Sequence, residues 1–451
     1  MTLWIAFAIG LPLAVTYLAL RLAGLARSLA LPIAPGFALG ISSAIYFFVL
    51  LTPGTEAPVL LDSSLWLLAF GALMLVSIRR QRLMPSLPAV DFRDGRRGWM
   101  PLLAVAAAAC IGLVVLAAVA VWLHMRVMPH GETDAIAIWN LRARSLSRGA
   151  PDWASILSPA IGWSHPDYPL LLPLAIARLW SYAGSETTAV PQLVAFVFFG
   201  SSVATVGVSV GRLCGATAGL LSAMTVVAAR TYVFQVSCQC ADVPIGFFIL
   251  VAVIFVVLAR DSDPALAVAG AAAGFAAWTK NEGQLLVVII AAFAAIAFRN
   301  RLSRLRLFVL GSALPLAALA IFKLLAPSSE FLAQSGDAII DKVFDAERWR
   351  HVLTHTASLL ERWGNVPGGA LLWSGLAAVL AARADRPGLV RTAAGSLLVV
   401  LMFGGYLLVY AITPAPLAWH IATSFERLVV QLWPAAVWSV FQLSAGHRRT
   451  V

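Results

Sequence analysis

The sequence predicts an all-α protein that crosses a membrane many times, and three observations carry that prediction. Apolar side chains make up 61% of the 451 residues and charged ones only 12%, where a soluble domain would carry about a quarter. The mean hydropathy is +0.87. Apolar stretches close to the roughly twenty residues that span hydrocarbon recur along the whole chain. Backbone in lipid must satisfy its own hydrogen bonds, so such stretches fold as helices.

Taken in order, about thirteen spans are expected, near 3–20, 31–51, 64–78, 100–123, 190–210, 214–229, 243–259, 264–279, 283–298, 307–325, 369–383, 393–412 and 424–443. The first, from Leu3 to Leu20, lacks the basic start and small-residue cleavage site of a signal peptide and reads as a retained span. The segment 169–183 is apolar but opens with Pro169 and Pro173, which suits a broken helix lying on the outer surface or re-entering it. Three divisions follow: 1–99, N-terminal spans and a basic loop; 100–330, a core holding the loop 124–189; and 331–451, a second outer loop and the last spans.

Arginine sets the orientation. Arg79, Arg80, Arg82, Arg93, Arg96 and Arg97 crowd one loop and Arg299, Arg301, Arg304 and Arg306 another, with Arg21, Arg27, Arg383, Arg386, Arg391, Arg448 and Arg449 completing the set. The positive-inside rule puts all of them in the cytoplasm. The net charge of +11 is thus a topology and lipid-headgroup signal rather than a nucleic-acid footprint, because the basic residues are scattered between spans. If 169–183 does not span, residues 124–168, the turn before Asp242, the hairpin at Lys280 and the start of the last span near His420 all share the outer face. Cys110, Cys214, Cys238 and Cys240 show no metal spacing, and Cys238-x-Cys240 is too short for an easy internal bridge.

Polar residues beside a bilayer are expensive and mark candidate functional sites. Glu132-Thr133-Asp134 opens an amphipathic run, where Thr133 or Asp134 would either cap the helix or serve as a general base with a pKa raised at the apolar boundary. His165-Pro166-Asp167-Tyr168-Pro169 is a proline turn that closes the same loop. Asp242, followed by Pro244, would be a helix cap or a catalytic partner, and the two roles are compatible. Lys280-Asn281-Glu282-Gly283 is a hairpin whose ammonium would either snorkel or hold a phosphate. His420, Ser424, Arg427 and Gln431 form one stripe on the last helix, where Arg427 needs a partner: Glu426, Asp242 or a lipid phosphate, with Arg230 near enough to share the task. No nucleotide-binding motif is present, so an activated donor would be a lipid arriving through the membrane.

This ordered set resembles the GT-C superfamily of polyprenyl-phosphate-sugar-dependent glycosyltransferases: an acidic pair in the first large outer loop, a His-Pro turn before a helix, Ala241-Asp242-x-Pro244, Thr279-Lys280-x-x-Gly283, and the block Trp419 to Arg427. It looks most like the bacterial branch of lipid A aminoarabinose transferases, protein mannosyltransferases and rhizobial core galacturonosyltransferases, over roughly residues 100 to 330. The resemblance implies an inverting transfer at the periplasmic face of a bacterial inner membrane. The donor would be a polyprenyl-phosphate-linked sugar and the acceptor an envelope lipid, glycan or protein. Asp134 would be the base or an acid that positions the acceptor, with Glu132 and Asp242 nearby; His165, Asp167 and Tyr168 would support the loop and the acceptor. Lys280, Arg427, Arg230, His420 and Glu282 would form the donor-phosphate end. The family usually continues its His-x-Pro with a second proline, where this chain has Asp167 and Tyr168 after His165-Pro166. Some relatives use a divalent metal cation and others do not, which the scattered ligands here leave open.

Two other classes fit the composition. A transporter or flippase of lipid-linked glycans would place charge at mid-span. An O-antigen ligase or polymerase would use the late loop 326–368, with Asp337, Asp341, Lys342, His351, His355 and Arg362.

Overall fold

The computed structural model describes residues 2–54, 57–81, 100–149, 152–259, 262–299, 301–328, 334–363 and 386–443. The expected span 369–383 and the basic residues Arg82, Arg93, Arg96, Arg97, Arg383, Arg448 and Arg449 lie outside them. The described residues contain helices and no strand. In chain order these are α1 (Thr2–Leu22), α2 (Arg27–Leu51), α3 (Pro58–Gln81), α4 (Met100–Val127), α5 (Leu141–Arg148), α6 (Leu171–Ala183), α7 (Ala189–Cys214), α8 (Ala216–Ala228), α9 (Arg230–Ser237), α10 (Asp242–Leu258), α11 (Asp263–Thr279), α12 (Glu282–Ala297), α13 (Leu302–Leu325), α14 (Gly336–Phe344), α15 (Ala346–Glu361), α16 (Arg386–Ile412) and α17 (Leu417–Gln442).

Seven described helices are long and apolar enough to cross a membrane, or eight if the pair α8 and α9, bent by 66° at its break, counts as one. The chain is an all-α, multi-pass membrane protein. Other described helices at expected spans are shorter or less apolar. Helices α10, α11 and α12 have 17, 17 and 16 residues. At 1.5 Å per residue they reach about 25 Å, short of a hydrocarbon core of about 30 Å. Helix α17 is long enough at 26 residues, but Glu426 and Arg427 interrupt its apolar run.

Helix α10 is the axis of the core. Sixteen of its 17 residues are buried, and it packs against α7, α11, α16 and α17. A helix apolar all round suits a protein core as well as a membrane span, and here neighbouring helices cover it. Helices from all three divisions of the sequence share this one core.

The segment 169–183 departs most from expectation. It forms α6, and twelve of its 13 residues are buried against α1, α2, α5 and α7. Inside, Arg178 donates to Asp62 of α3 at 2.8 Å and to the Ala8 carbonyl of α1 at 2.8 Å, and Tyr182 donates to the same carboxylate at 2.7 Å. A guanidinium whose nitrogens all find acceptors on two neighbouring helices can stay in the interior.

Candidate functional site

Three backbone devices bring remote segments to one end of the bundle. The first is the turn after α4. Its Pro129 carbonyl accepts from Gln192 at 3.2 Å and Gln239 at 3.3 Å, and its His130 carbonyl from Asn140 at 3.0 Å. Gly131, at φ +77°, passes so close to the turn after α9 that a Cβ there would sit 2.6 Å from the Cys238 carbonyl oxygen. The Glu132 amide then donates to that oxygen at 3.3 Å. The loop is thereby stapled beside the start of α10.

The second device is the α11–α12 hairpin. A Cβ on Gly283 would lie 2.1 Å from the Ala276 backbone, so the turn carrying Lys280 and Glu282 closes only over glycine. Gly283→Ala is expected to lower the thermal unfolding temperature in detergent, at a cost of about 1–3 kcal/mol for the enforced backbone shift. The third is α17, whose polar stripe enters the bundle against α10.

These devices converge on Asp242, the first residue of α10, which is fully buried. Lys280 Nζ donates to its Oδ1 at 3.0 Å, Gln431 Nε2 to Oδ1 at 2.8 Å and Arg427 Nε to Oδ2 at 3.0 Å. Lys280 also pairs with Glu282 at 2.9 Å, and Tyr406 donates to Gln431 Oε1 at 2.7 Å. Burial works against the Lys280 ammonium, but the Asp242 and Glu282 carboxylates outweigh it and hold its pKa above the ordinary lysine range. Arg427 Nη1 reaches Asp134 Oδ2 at 2.6 Å, across 293 positions of sequence.

The array is graded in exposure. The Asp242 side chain is 0% exposed and that of Lys280 5%, while Arg427 is at 24% and Asp134 at 35%. Asp134 is therefore the array's open carboxylate, and Arg427 the cation through which it touches the interior. Asp134 does not cap a helix. It precedes a π-helical turn, Ala135–Asn140, in helical backbone geometry and with no side-chain bond to that turn. π-Turns of this kind recur at functional sites. Asp242 likewise makes no capping bond; Ala241 occupies the cap position.

Several candidates lie elsewhere. Glu132 turns away to His124 at 3.1 Å. Arg230, exposed, starts α9 beyond the helix break, so the eight residues of that helix put it about 12 Å along the axis from the Cys238 turn, out of reach of Asp242. His420 bonds Thr413 at 2.8 Å and meets the Tyr410 ring edge-on; two helical turns separate it from Arg427. Glu426 is exposed, and Arg427 takes Asp242 and Asp134 instead.

The His165 turn closes through the Tyr168 amide to the His165 carbonyl at 3.0 Å, with His165 in the left-handed region. The Tyr168 ring stacks on His165 and Trp139 and faces the Lys280 ammonium at 5.9 Å, and burial drives its pKa upward. Asp167 accepts from Asn281 at 2.8 Å, and Lys323 ties its carbonyl, at 2.7 Å, to Asn281 Oδ1, at 2.8 Å. The His165 turn thus rests on the same hairpin that carries Lys280.

Sequence reading passed over Arg142. Its side chain is buried, its pKa is pulled down to about 9 by burial against partial compensation from Asp167, and its Nε and Nη2 have no protein partner. The signal was present: Arg142 interrupts the apolar stripe Ala135, Ile138, Trp139, Leu146, all buried.

The late loop does not join the array. Lys342 and Arg348 donate to the Thr413 carbonyl at 3.2 and 2.8 Å, His351 pairs with Glu347 at 3.2 Å, and Asp337, Asp341 and His355 are exposed. These contacts strap α14 and α15 onto the α16–α17 turn. Among the described residues, Arg362 donates to the Ser358 carbonyl of the preceding helix.

Among the described residues no three His, Cys, Asp or Glu side chains gather as a metal would need. Asp134 and Asp242 are turned onto Arg427 instead, so the residues do not fit a divalent cation. All four cysteines are free thiols. Burial pushes Cys238 up to about 12, with Glu132 and Asp242 adding to the rise. At pH 8 its thiolate population should be roughly a thousandfold below that of an exposed cysteine. Maleimide labelling of Cys238 is expected to be negligible in the folded protein and rapid after denaturation, as mass spectrometry would show.

No family model, curated protein or solved structure matches this chain. The chemistry of the array therefore has to be argued from its own geometry.

Proposed function

We propose that the chain is an inverting glycosyltransferase, moving a sugar from a polyprenyl-phosphate donor to a cell-envelope acceptor. The observation that carries this reading is the graded array: a buried Asp242 anchors Arg427, and Arg427 contacts an open carboxylate, Asp134. A transfer of this kind needs one group to accept a proton and one to stabilise a leaving phosphate. Asp134 and Arg427 are those two groups, in contact.

In this reading the acceptor hydroxyl gives its proton to the Asp134 carboxylate as its oxygen attacks the anomeric carbon. The bond from that carbon to the phosphate oxygen breaks, and its electron pair leaves with polyprenyl phosphate. A single displacement inverts the anomeric centre. Arg427 faces the phosphate with its outer guanidinium edge. Lys280, 5% exposed and shared by Asp242 and Glu282, is a positioning residue that holds Asp242 rather than a second phosphate ligand. The GT-C-like architecture, the inner-membrane location and the periplasmic orientation of the site belong to the same proposal, and membrane lipid is both solvent and route for the donor.

The test is a panel of polyprenyl-phosphate sugars presented to purified protein in nanodiscs with envelope lipid extract. Sugar transfer with stoichiometric release of polyprenyl phosphate supports the reading. Release that is indifferent to the extract, or no release from any donor by folded protein, would count against it.

A further inference from the structure

The Asp134–Arg427 pair raises a difficulty that its geometry also resolves. A carboxylate clasped by a guanidinium at 2.6 Å is a poor base, and a guanidinium so occupied is a poor phosphate ligand. Of the two carboxylates on Arg427, one cannot leave. Asp242 is fully buried and receives donors from Lys280, Arg427 and Gln431. Asp134 is at 35% exposure, has no capping bond to its own helix, and takes one guanidinium nitrogen.

Resting on the function proposed above, we infer that a phosphate ester displaces the Asp134 carboxylate from Arg427, so that Asp134 is a tethered occupant of the phosphate site and becomes a free base only when the donor has bound. Arg427 remains fixed through Nε to Asp242 while the acceptor at its terminal nitrogens changes. A phosphate offers that fork two oxygens, where Asp134 offers one. The exchange leaves the number of charge-assisted bonds on Arg427 no lower and moves the unpaired carboxylate to the side facing solvent. The order of binding follows, because the base is masked until a donor is present. Acceptor alone then meets no active base.

Calorimetric titration of the full chain in nanodiscs tests this, with farnesyl phosphate and inorganic phosphate as separate probes. Asp134→Asn should bind farnesyl phosphate roughly tenfold tighter than wild type, the factor expected for removing a competing charge-assisted bond. Glu132→Gln removes the same charge from the same loop, but from a residue paired with His124, and should change affinity less than about twofold at physiological salt. Asp134→Glu should behave as wild type. Inorganic phosphate should show the same ranking if the headgroup alone is recognised; tightening by farnesyl phosphate only would still support exchange, with the chain contributing.

Equal tightening in Asp134→Asn and Glu132→Gln, or none in either, would overturn the exchange while leaving a phosphate site in place. A farnesyl phosphate affinity that Arg427→Lys does not weaken would instead remove the phosphate site itself, and with it the proposed function.

Discussion

Replacing Asp242 by alanine should destabilise the folded protein by about 3–5 kcal/mol, the range seen when one member of a buried ion array is deleted. The side chain is fully buried and is the common acceptor for Lys280, Arg427 and Gln431. Without it three donors from two helices face each other across an apolar interior, and Arg427 is left with Asp134 alone. Asp242→Asn keeps the volume but offers one acceptor oxygen and an N–H group that meets cations. It should recover part of the stability and little of the array. Thermal unfolding in detergent is the measurement. An Asp242→Ala protein that melts with wild type would mean that the array does not hold this end of the bundle together.

The second large effect falls on chemistry rather than stability. Asp134→Asn should lower turnover by about 10²–10⁴-fold, as expected when a general base is lost, while leaving the melting temperature close to wild type. The contrast with Asp242 comes from position. Asp134 is at 35% exposure and bonds one nitrogen of a guanidinium that Asp242 already anchors. Losing it exposes that nitrogen to water rather than stranding it in an apolar core.

Much of this site could be read in the sequence because charge is conspicuous in an apolar chain. Asp242, Lys280, Glu282 and Arg427 each break a hydrophobic run, and each sits in the array. Their pairing could not be read. The sequence allowed Asp134 a capping role, and nothing local disfavours it; the choice was made by an arginine 293 residues away. Arg230 and His420 look equivalent to Arg427 in their distance from an apolar boundary. Arg230 lies across a helix break at Ala229 and His420 two helical turns from Arg427, and composition reveals neither.

Helix α6 teaches the same lesson for the fold. Two prolines and an apolar run suit a juxtamembrane or re-entrant helix, but they do not reveal that protein encloses it or that Arg178 finds Asp62. Arg142 shows the reverse error, a signal available and passed over.

The most direct test of the account is the release of polyprenyl phosphate by wild type and by Asp134→Asn, side by side in nanodiscs, with melting temperatures taken on the same preparations. The account predicts turnover by wild type, loss of about two orders of magnitude or more in Asp134→Asn, and nearly equal melting temperatures. Equal turnover by the two proteins would contradict it, because the array's open carboxylate would then not be the group that accepts the proton.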